Sequence, residues 1–236
     1  MKVKNEDIVI PGDIINEDCL KIDKKMKIII GPGLKKVGNE IFITNSGILR
    51  KKNPNTFWVD FYQRRYVPAK GESILGVVTN KSSEALKLDI GASEQASLSF
   101  LAFEGASKKY KPEVAVGDVI YGRLLAAGSD VEPELVCIDH NFKSDRFGVL
   151  KDGFIFNCSL NVVYKILNSS CPLLQLLGKE IKHEIVVGLN GKVWVKANNC
   201  EDTLAIANAV LKCEFLSNSE IRTMCNEVLN CLKGMS

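Results

Sequence analysis

The 236-residue sequence predicts a mostly β chain with an α+β part at its C-terminal end. Three observations carry this. Short apolar runs, each closed by a Gly-, Pro- or Asn-containing turn signal, fill the first two thirds of the chain. Apolar residues at helical spacing begin only near Leu160. Beyond that point the patterns follow the order strand, helix, helix, strand, strand, helix, with one more helix at the end.

Residues 1–69 read as a small β domain. Ile8-Val9-Ile10 stops at Pro11-Gly12-Asp13, and Ile28-Ile29-Ile30 runs into Gly31-Pro32-Gly33. Glu40–Thr44 ends at Asn45-Ser46-Gly47, and Phe57–Phe61 follows a Lys-Asn-Pro-Asn turn. Residues 70–142 hold five strand patterns: Ser73–Asn80, Ala85–Ile90, Ala96–Ala102, Val119–Ala127 and Glu134–Asp139. A polar insertion, Glu104–Glu113, separates the third from the fourth. That is the ground plan of an OB-type barrel. Residues 143–236 form the α+β domain. Phe147–Asn157 is strand-like, and Ser159 is placed to cap a helix through Val162, Val163, Ile166 and Leu167. Pro172 opens a second helix that Gly178 ends; two strands, His183–Val187 and Lys192–Ala197, precede helices over Asp202–Phe215 and Ser219–Leu232. This is the order of a KH-type domain.

Composition narrows the function. No apolar run approaches the roughly 20 residues of a membrane span, and MKVKNEDIVIPGD lacks the apolar core of a secretory signal. The expectation is a soluble, intracellular protein. Eight cysteines include no Cys-x-x-Cys pair, and His140 and His183 have no cysteine at ligand spacing. Buried free thiols, with no metal and no cofactor, are expected. There is no GxSxG, no phosphate-binding loop ending in GK[ST] and no recognisable acid/base pair, which argues against an enzyme. The net charge of +3 is uneven, because residues 70–142 carry 7 basic against 11 acidic residues while residues 1–69 carry 13 against 8. Any affinity of the isolated chain for RNA should therefore be modest.

Two stretches are candidates for nucleic-acid contact. Gly188-Leu189-Asn190-Gly191 has the spacing of the KH backbone clamp, which belongs between the first two helices. Here that link is Asn168-Ser169-Ser170-Cys171-Pro172, without glycine, while GLNG falls between two alternating apolar runs. It therefore reads as a hairpin turn, with Asn190 and Gly191 both at positive φ in a type I′ turn. Lys192, Trp194 and Lys196 then share a face. They form either a stacking-and-charge stripe or a Trp packed on the neighbouring domain beside solvated lysines. On the barrel, Lys87, Phe100, Phe103 and Arg123, with Lys108, Lys109 and Lys111 of the SKKYK loop, are the candidates for weak, salt-sensitive RNA binding. Phe100 and Phe103 read equally well as core.

Several strings resemble one family. PGD at 11–13, GPG at 31–33, Arg65-Tyr66-Val67-Pro68, ILGVV, SLSFLAFEGASKKYKP, the Gly117-Asp118 step, FGVLKDGFIF and VGLNGKVWVK are similar to the ribosomal RNA-processing protein 40 (exosome component 3) family of RNA exosome cap subunits. The resemblance implies an N-terminal β domain, an S1-type OB domain and a KH-type domain without catalytic activity. It implies RNA, RNase PH-like ring subunits and other cap subunits as partners, with no membrane. It also implies a role in rRNA processing and RNA turnover in nucleus, nucleolus and cytoplasm. The GxNG segment, Gly188 to Gly191 with Trp194, is implied to be structural, near the contact of the OB and KH-type domains. A free-standing OB/KH regulator is the alternative reading of the same modules.

Overall fold

The computed structural model describes residues 7–16, 28–38, 40–52, 55–107, 110–128, 131–139, 143–144 and 146–235. The chain forms two compact units, Met1–Gln63 and Arg64–Ser236.

In the first unit the short strands β1 (Ile8–Val9), β2 (Ile14–Asn16), β3 (Ile29–Ile30), β4 (Leu34–Val37), β5 (Glu40–Ile43), β6 (Gly47–Lys52) and β7 (Thr56–Asp60) make two small sheets, in the orders β1-β6-β7-β3 and β2-β5-β4. Alternation decides what they enclose. Val9, Ile15, Ile41, Ile43, Leu49, Phe57 and Val59 share one core, and the intervening residues face outward. β2 and β4 escape a reading by pattern because they are short and, in Leu34–Val37, mostly exposed.

In the second unit β8 (Ser73–Lys81), β9 (Ala85–Asp89), β10 (Ala96–Ser99), β11 (Val119–Gly128), β12 (Val131–Val136) and β13 (Gly148–Leu150) form one sheet in the order β12-β10-β9-β8-β11-β13. β11 also pairs with β12, which closes the barrel of five strands β8–β12. Its interior is filled by Ile74, Val78, Leu86, Leu88, Ile90, Leu98, Ile120, Leu124 and Leu135, all 2% exposed or less. The third strand pattern ends at Ser99, whose hydroxyl accepts from the Leu101 amide and turns Phe100–Ala102 into a 3-10 helix.

The strand-like stretch Phe147–Asn157 is two strands of different sheets. β13 extends the barrel sheet beside β11, and β14 (Phe154–Asn157) starts the next. Asp152, at φ +58°, and Gly153 make the corner between them. Then follow α1 (Leu160–Leu167), α2 (Leu173–Glu180), β15 (His183–Val187), β16 (Lys192–Ala197), α3 (Cys200–Lys212) and α4 (Asn218–Met235), with sheet order β14-β16-β15. Ser159 caps α1, its hydroxyl accepting from the Val162 amide at 3.2 Å. Val193 and Val195 on one face of β16 meet Val162, Ile166, Leu173, Leu177, Ile206, Val210 and Ile221 from the four helices. The fold is mostly β with an α+β C-terminal part, as the sequence pattern predicts.

Candidate nucleic-acid interface and the barrel–KH seam

Gly188–Gly191 joins β15 to β16, which pair antiparallel from His183↔Ala197 to Val187↔Val193. The turn is not type I′. The Gly191 amide donates to the Gly188 carbonyl at 3.2 Å, and the Gly188 amide donates to Lys192 O at 2.9 Å. Gly191 alone sits in the left-handed region, at φ +79°, whereas Asn190 does not. This is a three-residue loop closed by a glycine bulge.

That geometry aims Asn190 at the barrel rather than at solvent. Its Oδ1 accepts from the Leu75 amide at 3.2 Å, and its Nδ2 donates to the carbonyls of Leu75 and Ile90 at 2.7 and 2.8 Å. The Leu189 amide adds a bond to Ser73 O at 3.0 Å. Gly188 has no side chain because a Cβ there would lie 2.8 Å from the Leu75 amide nitrogen. Asn190 is 6% exposed, so the loop is sealed between two domains and its backbone is closed to phosphate.

Of the Lys192–Trp194–Lys196 face, the first two are buried. Trp194, 3% exposed, packs with Leu75 and Val119 of the barrel. Its ring lies over Gly153, where a Cβ would come within 2.2 Å. Lys192 is not solvated but reaches Asp89 Oδ2 at 2.9 Å across the seam. Burial pushes the Asp89 carboxyl up, but the Gly91 amide and the Lys192 ammonium outweigh it and hold it below its ordinary value. Only Lys196 stays near solvent, 3.5 Å from Asp152. No local sequence signal announces Gly153 or the Asp89 contact, because each is defined by a partner distant in the chain, Trp194 for Gly153 and Lys192 for Asp89.

The barrel candidates do not form one face. Phe100 is 3% exposed, and the Lys81 and Lys111 ammonium groups stand 5.8 and 5.2 Å from its ring centroid. It offers no open ring to a base, because the 3-10 turn points it into the core; Phe103 is half-buried against the same core. Lys111 also donates to Ser83 O, and Lys87 is paired with Glu132. Arg123 stands on β11, with Nε donating to Gly71 O at 3.3 Å and a terminal nitrogen 3.4 Å from Asp139. Lys108 and Lys109 lie outside the described residues.

Three thiols are withdrawn from nucleophilic chemistry by burial. Burial pushes Cys137 and Cys158 up to about 12 and Cys213 up to about 11, so they stay protonated at neutral pH. Among the described residues no three His, Cys, Asp or Glu side chains converge on a metal-sized site.

Three family models match the chain in succession: residues 7–62 match the mammalian exosome complex component RRP40 N-terminal model, 66–148 the exosome complex component RRP40 S1 domain, and 153–200 a KH domain. Exosome complex component RRP40 of Drosophila melanogaster is 46% identical over 94% of this chain and 95% of its own length. The chain belongs to the RRP40 family. The Homo sapiens RRP40 protein is 42% identical, covering 83% of this chain and 74% of its own. The exosome complex component Rrp4 of Pyrococcus furiosus is 24% identical over 98% of this chain and 84% of its own. A solved structure described as an exosome complex RNA-binding protein superposes with a TM-score of 0.59 over 71% of this chain and 99% of that one. At 19% identity it bears on the fold. The RRP40 domain order thus accounts for both units, with the S1 barrel and the KH domain joined by the Asn190 seam.

Proposed function

We propose that this protein is a non-catalytic, RNA-binding cap subunit of the RNA exosome, which stabilises the ring of RNase PH-like subunits and guides RNA into the degradation and processing channel. The observation that carries the proposal is the match of all three domains, in order, to the RRP40 family. The geometry supports a static, architectural role for the KH domain. Its GLNG loop is spent on holding the barrel, and the link between α1 and α2 has no glycine clamp. RNA contact falls to the barrel and its charged loop, with Lys87, Lys108, Lys109, Lys111 and Arg123 contributing counterion release. The acidic balance of the barrel makes this contact weak in the isolated chain and stronger in an assembled complex. Work in rRNA processing and RNA turnover follows, in nucleus, nucleolus and cytoplasm.

Affinity purification of the tagged protein from native extract, followed by gel filtration and mass spectrometry, tests the proposal. A species of several hundred kilodaltons containing RNase PH-like chains is expected. A free monomer that binds RNA at nanomolar concentration and physiological salt would instead support the free-standing regulator.

A further inference from the structure

We propose that the outer wall of the barrel carries a nucleobase pocket that prefers guanine, built on Arg123 and Asp139. The inference rests on the RNA-binding reading above and adds a base identity to it.

A cavity of about 480 Å³ opens between the residues leading into β8, the middle of β11 and the segment that follows β12. That volume lies within the range of small-molecule sites. Its walls are Leu125, Val136 and Ile138, which suit the faces of a planar base. Leu125 reaches this position through an irregularity in the ladder. The register steps from Leu124↔Leu135 to Ala126↔Glu134, so Leu125 has no partner on β12 and bulges outward, 52% exposed. Bulges of this kind re-aim a side chain at a site.

The polar edge of the cavity is ordered. Arg123 Nε is tied to the Gly71 carbonyl, which sets the plane of the guanidinium. Asp139 is set beside it, its amide donating to Lys143 O at 2.8 Å. The two charged groups stand side by side, 3.4 Å apart, too far for a tight fork-to-fork pair. Among the described residues only Oδ1 of the carboxylate is engaged. A carboxylate next to a guanidinium presents acceptors followed by donors along one line. The edge of guanine presents the complement: N2–H and N1–H donors, then the O6 and N7 acceptors. Adenine has one amino donor beside its N1 or N7 acceptor, so it gives the carboxylate one hydrogen bond where guanine gives two, and uracil has a single donor between two acceptors. Cytosine offers one donor and two acceptors on a smaller ring. The expected order is guanine first, adenine and cytosine after it, and uracil last. Lys70, on the rim, supplies a charge for the adjoining phosphate.

The test uses the full chain. GMP, IMP and AMP are titrated while the methyl resonances of Leu125, Val136 and Ile138 are followed by NMR. GMP should shift all three and bind at least about 5-fold more tightly than AMP, the lower end of what a good bidentate contact discriminates. IMP, which lacks the 2-amino group, should fall between them. Asp139→Asn should remove the preference, and so should the exposed change Leu125→Ser, which does not touch the core. A uridine-rich RNA carrying guanosines, compared with the same RNA carrying inosines, should show the preference in a polymer. Equal shifts with all three nucleotides, shifts elsewhere, or a preference confined to the free nucleotide overturn the proposal. Binding of RNA without any base preference overturns the pocket and leaves the RNA-binding role standing. Absence of RNA binding, both by the chain and by the purified complex, overturns both.

Discussion

Asn190→Ala isolates the seam between barrel and KH domain. The substitution deletes an amide that makes three hydrogen bonds to the backbone of Leu75 and Ile90, residues with no exposed surface. It introduces no strained backbone, because Asn190 is not at positive φ. Each buried polar group left without a partner costs about 1–3 kcal/mol, and the ladder partly serves the strand carbonyls, so a total of about 3–5 kcal/mol is expected. At roughly 2–4 °C per kcal/mol for a unit of this size, the midpoint should fall by about 6–20 °C. Thermal and urea unfolding followed by fluorescence read this directly. In a Trp58→Phe background the remaining tryptophan, Trp194, sits in the seam. Asn190→Asp keeps the shape but turns an oxygen toward two carbonyls, and should cost at least as much at neutral pH. An Asn190→Ala protein within about 0.5 kcal/mol of the parent would refute the claim that this side chain holds the two domains together.

Three further outcomes are expected. Gly153→Ala should destabilise the second unit by about 2–4 kcal/mol and shift Trp194 emission to the red, since the added methyl overlaps the indole; an unchanged denaturation midpoint would contradict it. Asp89 is held below its ordinary value by Gly91 and Lys192, so its contribution to stability is present above about pH 4 and is lost as pH falls through its lowered folded-state value. Asp89→Asn should remove that part of the acid dependence, which pH-resolved melting curves will show. Lys108→Ala with Lys109→Ala should weaken RNA binding evenly across sequences and reduce the slope of log K against log salt by roughly 1.4; a change in sequence preference instead would point to base contacts by this loop.

Much of the fold was legible because its determinants are local. Alternation in Ala85–Asp89 and Lys192–Ala197 gives strands, and Ser159 before LNVVYKIL gives a capped helix. The break within Phe147–Asn157 was not legible. Both halves have strand character, and only their pairing, one with β11 and the other with β16, divides them. The type I′ expectation for Asn190-Gly191 failed for a related reason. Turn statistics describe an isolated hairpin, whereas here the loop conformation lets Asn190 bond to a different domain.

By itself, the sequence determined the order of the three modules, the hairpin at GLNG and the residue types available at each surface. These follow from period, punctuation and composition, which act over a few residues at a time. Tertiary structure alone decided which of those residues stay accessible. It buried Trp194 and Lys192 in the seam, turned Phe100 into the barrel core, and set Arg123 beside Asp139 on a wall bent open at Leu125. Accessibility and pairing depend on what is brought in from a distant part of the chain, such as Asn190 meeting Leu75, and no local pattern encodes that partner.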